Sequence, residues 1–279
     1  MSKWFVTDMD GTFLNDNREI SPRSKDVMNK LQSNNIKFFI ATGRVDLAIR
    51  SYYNLMGLDD AVISCNGSFI RNLKTGEIIY EKYFSEEEIT YIYEKYMELT
   101  DGSIEFHIYS ANYIYSDTLS FSLARIRRVE ENLPDNIKTP MHITKDILGD
   151  IKKNNDRIYK VMISSKNHDL LRKIASEVNK KFRIESTFSA TNFFDIMPAG
   201  CGKGEGIKRV AEYYGMDIKD SVVFGDNFND IDMLKVAGTS ICPSNAKEEI
   251  KKMCDEIIGN NNDFSVLNYI ENYINSLEN

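Results

Sequence analysis

Three short apolar runs constrain the fold of this chain more than any other feature: WFVTD ending at Asp8, IKFFIAT ending at Thr42 and SVVFGD ending at Asp226. Each is rich in Val, Ile and Phe, and none alternates with polar residues, which is the pattern of a strand buried on both faces. Helix-period segments lie between them. Ser21 and Pro22 read as the N-cap and first position of a helix running to about Leu31, and Asp46 to Met56 reads as another. Strand, helix, strand, helix implies a parallel α/β sheet, in which ligands bind outside the carboxyl ends of the strands. The polar residues closing the three runs are therefore expected at one rim.

The middle of the chain has a different pattern. SIEFHIYSANYIYS (103–116) alternates around a Ser-Ala-Asn turn, as a half-exposed hairpin does. RIYKVMISS (157–165) and FRIESTFSA (182–190) read as strands, and HDLLRKIASEVNKKF (168–182) as an amphipathic helix with Leu171, Ile174, Ala175 and Val178 on one face. This is an α+β pattern. It places an inserted domain at 84–189, flanked by the two parts of the first domain at 1–83 and 190–279, with FFDIMPAG resuming the α/β pattern and hinges near Phe84 and Ala190.

At 279 residues one large or two modest domains are expected. The net charge of -7 disfavours nucleic acid as a partner but leaves room for a small anion in a locally positive pocket. The four cysteines form no CxxC pair and read as reduced thiols. With no basic-then-apolar leader and no run long enough to span a bilayer, the expectation is a cytoplasmic protein without membrane attachment.

Chemistry concentrates at the ends of the three runs. Asp8 and Asp226 at neighbouring strand ends could supply the carboxylates that a hard cation such as Mg2+ takes alongside water and phosphate. Asp10 lies one step further out, with its carbonyl able to face the metal and its side chain free for acid/base work. Gly11 permits a tight turn. Taken alone, DMDGT is equally a simple turn with Asx-type hydrogen bonds. It is not an EF-hand, because Val6 and Asn17 would occupy the first and last ligand positions. ATGR (41–44) offers the Thr42 hydroxyl and, at Gly43, close backbone approach to an anion; a plain strand-to-helix turn is the alternative. PAGCGKGEGIKRV (198–210) holds Lys203 at a helix N-terminus, where dipole and ammonium both favour phosphate. It is not a Walker A loop, since Met197 and Gly204 occupy the first-Gly and Ser/Thr positions. GDNFND (225–230) packs carboxylates and amides directly after a buried strand.

No one of these segments is decisive, but their order is. Asp8-Met9-Asp10-Gly11-Thr12, Thr42 in ATGR, Lys203, and Gly225 through Asp230 resemble the four motifs of the haloacid dehalogenase superfamily. The long insert and SCNGS (64–68) resemble its Cof-type, class IIB sugar-phosphatase branch. The resemblance implies a Rossmann-like parallel-sheet α/β core with an inserted α+β cap of the C2 type. It implies a Mg2+-dependent phosphatase acting on small phosphorylated metabolites, as a monomer or weak homodimer. Asp8 would be the nucleophile that becomes an aspartyl phosphate, and Asp10 the acid and base. Asp8, Asp10 and Asp226 would hold the metal. Met9, Thr42, Gly43, Lys203 and Asn229 would bind phosphoryl oxygens, with Arg44, Asn66 and Asp230 in accessory roles. A phosphomutase and a non-catalytic phosphosugar-binding regulator are the alternatives; a regulator would be expected to lose Asp8 or Asp10. In ARIRRVEENL (124–133), Arg125, Arg127 and Arg128 read as a solvated helical face, with a grip on a second anionic group as the sharper alternative.

Overall fold

The computed structural model describes residues 3–100 and 102–277. The first sheet is built from β1 (Trp4–Thr7), β2 (Phe38–Ala41), β3 (Val62–Ser64), β4 (Phe69–Arg71) and β5 (Ile78–Glu81). It is completed by β12 (Ser221–Phe224), β13 (Thr239–Pro243) and β14 (Glu256–Ile258). The second comprises β6 (Glu105–Ser110), β7 (Ile114–Ser116), β8 (Met141–Ile143), β9 (Ile158–Ser164), β10 (Ile184–Ala190) and β11 (Phe193–Pro198). Helices α1 (Ser24–Ser33), α2 (Arg50–Met56), α7 (Lys203–Tyr214), α8 (Ile231–Val236), α9 (Glu248–Lys251) and α10 (Ser265–Leu277) belong with the first sheet. Helices α3 (Glu86–Leu99), α4 (Phe121–Val129), α5 (Ile147–Asn154) and α6 (His168–Asn179) belong with the second.

The first sheet runs β14-β13-β12-β1-β2-β3-β4-β5; the pairs from β14 to β3 are parallel, and β4 and β5 add an antiparallel edge. Burial on two faces explains the unbroken apolar runs. Phe5, Phe38, Ile40, Val222 and Phe224 enter one core with α1, α2 and α10. Their neighbours Trp4, Val6, Phe39, Ala41 and Val223 enter a second with α7, α8 and α9. Each such side chain contributes roughly 1.5–3 kcal/mol by leaving water. The carboxyl ends of β1, β2 and β12 consequently lie side by side.

The second sheet runs β10-β11-β9-β6-β7-β8, antiparallel except for β7 with β8. Phe106, Ile108, Val161, Ile163, Phe194 and Ile196 point into a core with α3, α5 and α6. The opposite face carries Tyr109, Met162 and Phe193, which pack with Val45, Cys65 and Phe69 of the first unit. The hairpin and the helix at 168–179 form as expected. Three expectations do not hold. FFDIM is not a return to the first sheet but strand β11, paired with β10 and β9. The connection expected to hinge near Ala190 is instead the turn between β10 and β11. The misreading has a physical cause: β11 is buried on both faces, one against the helices and one against the first unit, so it mimics a parallel core strand. Helix α1 also begins at Ser24, with Ser21 and Pro22 in the turn before it.

Candidate active site

Strand β1 leads directly into Asp8, whose N–H donates to the Phe224 carbonyl of β12 at 2.9 Å. A tight turn over Met9–Phe13 follows, closed by the Leu14 N–H on the Met9 carbonyl. Gly11 sits there at φ 83°, and a Cβ at this position would stand 2.6 Å from Asp226 Oδ2. Gly11→Ala therefore combines left-handed strain, about 1–2 kcal/mol, with a clash against a site carboxylate. It is expected to lower both the melting temperature and kcat; a variant with native values of both would show that the turn tolerates a side chain.

The Lys203 side chain opens α7 and is fully buried. Its Nζ donates to Asp8 Oδ1 and to Asp230 Oδ1, each at 2.6 Å. Burial opposes the charge on Lys203, but Asp230 and Asp8 outweigh it and hold the pKa above the ordinary lysine value. Burial likewise pushes the Asp8 carboxyl well up, and Lys203 counteracts this. Asp230 Oδ2 accepts the N–H groups of Asp226 and Asn227 at 2.9 and 3.0 Å, so both of its oxygens are occupied. Asp226 Oδ1 accepts from the Thr12 hydroxyl at 2.6 Å. Burial, then the proximity of Asp230, push the Asp226 carboxyl up to about 7.

Asp8, Asp226 and Asp230 bring carboxylate oxygens within 4.8 Å of one another, a cluster that could hold a metal ion. The donor set fits a hard cation. Asp226 is half-buried with its carboxyl pushed up, and Asp230 is already committed, so Asp8 and Asp226 are the carboxylates of the cluster with capacity for an ion.

The Asp10 side chain is not free as expected. Arg44 grips it bidentately, Nε to Oδ2 at 2.7 Å and Nη2 to Oδ1 at 2.5 Å. Burial opposes ionisation here, yet Arg44 prevails and holds the Asp10 carboxyl below the ordinary carboxylate range. Thr42 is buried and accepts the Arg44 N–H at 3.1 Å on its hydroxyl oxygen. Asn229 Nδ2 donates to Asn66 Oδ1 at 3.2 Å. Asn66 is buried at φ 53° and donates from Nδ2 to Asp195 Oδ2 at 2.8 Å. The Met9 side chain turns into the core, leaving only its backbone for an anion.

Asp8, Asp10, Thr42, Gly43, Arg44 and Asn229 line one cleft of about 260 Å³ between the sheets. Its opposite wall carries Lys160, Asp195 and Tyr109, which sequence reasoning did not single out. Lys160 of β9 reaches across to the Gly43 carbonyl and lies 3.1 Å from Asp195 of β11, both nearly solvent-free. Tyr109 sits beneath that ammonium, 4.4 Å from ring centroid to Nζ. The available signal was one charge within an otherwise apolar strand in each case, IYKVMIS and FFDIM. His107 is buried on the same face; burial, then Lys160, push its pKa down to about 3, so it is neutral near pH 7. The arginine cluster divides: Arg125 faces the cleft, whereas Arg127 and Arg128 are exposed beyond it.

The chain is similar to known hydrolases over nearly its whole length. A family model for haloacid dehalogenase-like hydrolases matches residues 5–270. The pyridoxal phosphate phosphatase YbhA of Escherichia coli (strain K12) is 25% identical over 272 residues, covering 96% of this chain and 97% of that protein. A haloacid dehalogenase-like hydrolase from Bacteroides thetaiotaomicron superposes with a TM-score of 0.81 at 26% identity, over 98% of this chain and 100% of the other. The subclass IIB sugar phosphatase BT4131 shares the fold, with a TM-score of 0.77 at 18% identity over 98% and 99% of the two chains.

Proposed function

The chain belongs to the haloacid dehalogenase-like hydrolase family, and on that premise we propose that it is a Mg2+-dependent phosphatase of small phosphate monoesters working through a phosphorylated Asp8. The observation that carries this reading is the different partnering of two carboxylates two residues apart. Asp8 is held by a buried ammonium and faces the acidic cluster, as an oriented nucleophile must. Asp10 stands at the cleft, ionised by Arg44, where a leaving group would lie.

An Asp8 oxygen attacks phosphorus and the ester oxygen departs, leaving an acyl phosphate on Asp8. Asp10 delivers the proton that a sugar alkoxide needs on departure, then takes one from the water that cleaves the acyl phosphate. To act as an acid it must first gain a proton and loosen from Arg44, and an incoming phosphate competes for that guanidinium. Lys203, the Thr42 hydroxyl, Asn229 and the backbone of Met9 and Gly43 bind the phosphoryl oxygens in this reading. Asp8, Asp226 and the Asp10 carbonyl would hold Mg2+, which neutralises phosphate charge that otherwise repels Asp8. The second sheet would act as the cap that covers the cleft and reads the leaving group. We take the cap to run from about residue 84 through Pro198, the end of β11.

The test is phosphate release from a panel of phosphorylated metabolites and from a generic aryl phosphate. Activity is expected to vanish on exhaustive chelation and return with Mg2+. Ca2+ is expected to inhibit, because it prefers more ligands and longer bonds than this site offers. Full turnover after chelation would refute the metal requirement. No described helix is long and apolar enough to cross a membrane, and the reading needs no membrane or nucleic-acid partner.

A further inference from the structure

Four cationic side chains line the cleft: Arg18, Arg44, Arg125 and Lys160. Two of them are committed, Arg44 to Asp10 and Lys160 to Asp195 and the Gly43 carbonyl. Arg18 and Arg125 have no carboxylate partner among the described residues. Arg125 Nε is buried without any hydrogen-bond partner. A buried guanidinium N–H left unpaired costs free energy, so its retention points to a partner that arrives from outside.

The acids of the cleft already have partners of their own. Asp8 is held by Lys203 and Asp10 by Arg44. Asp195 is ion-paired with Lys160 and accepts from Asn66 on Oδ2, although its Oδ1 has no hydrogen bond. Glu130 has its two oxygens on the Thr139 N–H at 2.8 Å and the Thr139 hydroxyl at 2.6 Å. Arg18 and Arg125 also approach each other. Arg18 is exposed at the mouth of the cleft, and partial desolvation and then, against the pull of Asp10, the proximity of Arg125 lower its pKa. The two guanidinium groups line one cleft but come from different parts of the fold. Arg18 lies on the turn after the Asp8 motif, its carbonyl fixed by the Tyr52 hydroxyl at 2.8 Å. Arg125 lies on α4, on the same helix face as Ser122, Ile126 and Val129, which also line the cleft.

We propose that Arg18 and Arg125 form a second anion subsite, and that the preferred substrate is a phosphoester carrying a further oxyanion, phosphate or carboxylate, away from the scissile bond. This rests on the phosphatase reading and narrows its substrate class. Guanidinium forks match both oxyanions bidentately, and an anion bridging the two arginines would tie α4 to the Asp8 side of the cleft.

The experiment compares kcat/KM for matched pairs. One pair is a sugar bisphosphate against the monophosphate lacking the distal phosphate; another is a phosphorylated sugar acid against the phosphorylated sugar. An aryl phosphate serves as reference. The doubly anionic member is expected to be favoured roughly 10- to 100-fold, the range of one or two charge-assisted hydrogen bonds. The preference should fall towards unity in Arg125→Gln and in Arg18→Gln and survive in part in Arg125→Lys, and the pair that shows it identifies the oxyanion. Aryl phosphate hydrolysis with no preference in the native protein, or a preference that both Gln variants keep, would overturn the subsite alone. Failure to hydrolyse even the aryl phosphate would overturn the phosphatase reading and the subsite together.

Discussion

Asp8→Asn is expected to remove turnover by several orders of magnitude while the protein stays folded. Asparagine matches aspartate in shape, and its carbonyl oxygen can still accept from Lys203, which holds Asp8 at 2.6 Å. What is lost is the charge that attacks phosphorus and the ability to form the acyl phosphate. Asp10→Asn should behave differently. Loss of a general acid or base costs about 10²- to 10⁴-fold, and the first step depends on it only when the leaving group is poor. An aryl phosphate leaves without a proton, so Asp10→Asn should still phosphorylate Asp8 and then stall, because no base activates water. Rapid acid quench of Asp10→Asn with an aryl phosphate should therefore trap phosphorylated protein, and Asp8→Asn should trap none. More than a few per cent of native turnover in Asp8→Asn would exclude the covalent route.

The parts of this site that the sequence reveals are those where local chemistry and strand position coincide. Asp8, Thr42 and Asp226 close three runs whose residues alternate between two cores, so their strands could be recognised without knowing their neighbours. The same logic failed at Phe193–Pro198, because a strand between a helical layer and another sheet is also apolar on both sides. Helix α3 went unread although Ser85 and Glu88 form a capping box, a legible local signal. The far wall of the cleft was not legible. Lys160 and Asp195 lie 35 residues apart in sequence and meet because β9 and β11 are paired in a register that sequence alone does not set. Arg125 was read among its neighbours as a solvated face. Helix rotation decides otherwise, turning Arg127 and Arg128 outward and Arg125 in. The salt bridge to Asp10 was missed for a related reason: Arg44 was visible, but the direction of its side chain was not.

Lys203→Met is expected to be the most destabilising substitution in the site, because it strands two buried carboxylates. Lys203 is fully buried, Asp230 has no exposure, and Asp8 is nearly as enclosed. Removing one partner of such a cluster costs about 3–5 kcal/mol, since the remaining charges lose their compensation while staying away from water. For a chain of this size that corresponds to a fall in melting temperature of roughly 6–20 °C. The pH dependence has a definite sign. Burial raises the folded-state pKa of Asp8, and without Lys203 nothing of comparable strength lowers it. The folded variant would then bind more protons than the unfolded chain, so its stability should fall as pH rises through and above the ordinary carboxylate range near ~4. The deficit relative to native protein should accordingly shrink in mild acid. Adding Asp230→Asn to Lys203→Met removes one of the stranded charges and should recover part of the melting temperature. It should not recover activity, because the ammonium that orients Asp8 and meets the phosphoryl oxygens is still missing, a loss of roughly 10²- to 10³-fold. If Lys203→Met melts within a degree or two of the native protein at neutral pH, the buried charges are compensated by something other than Lys203, and the account of how Asp8 is held would have to be abandoned.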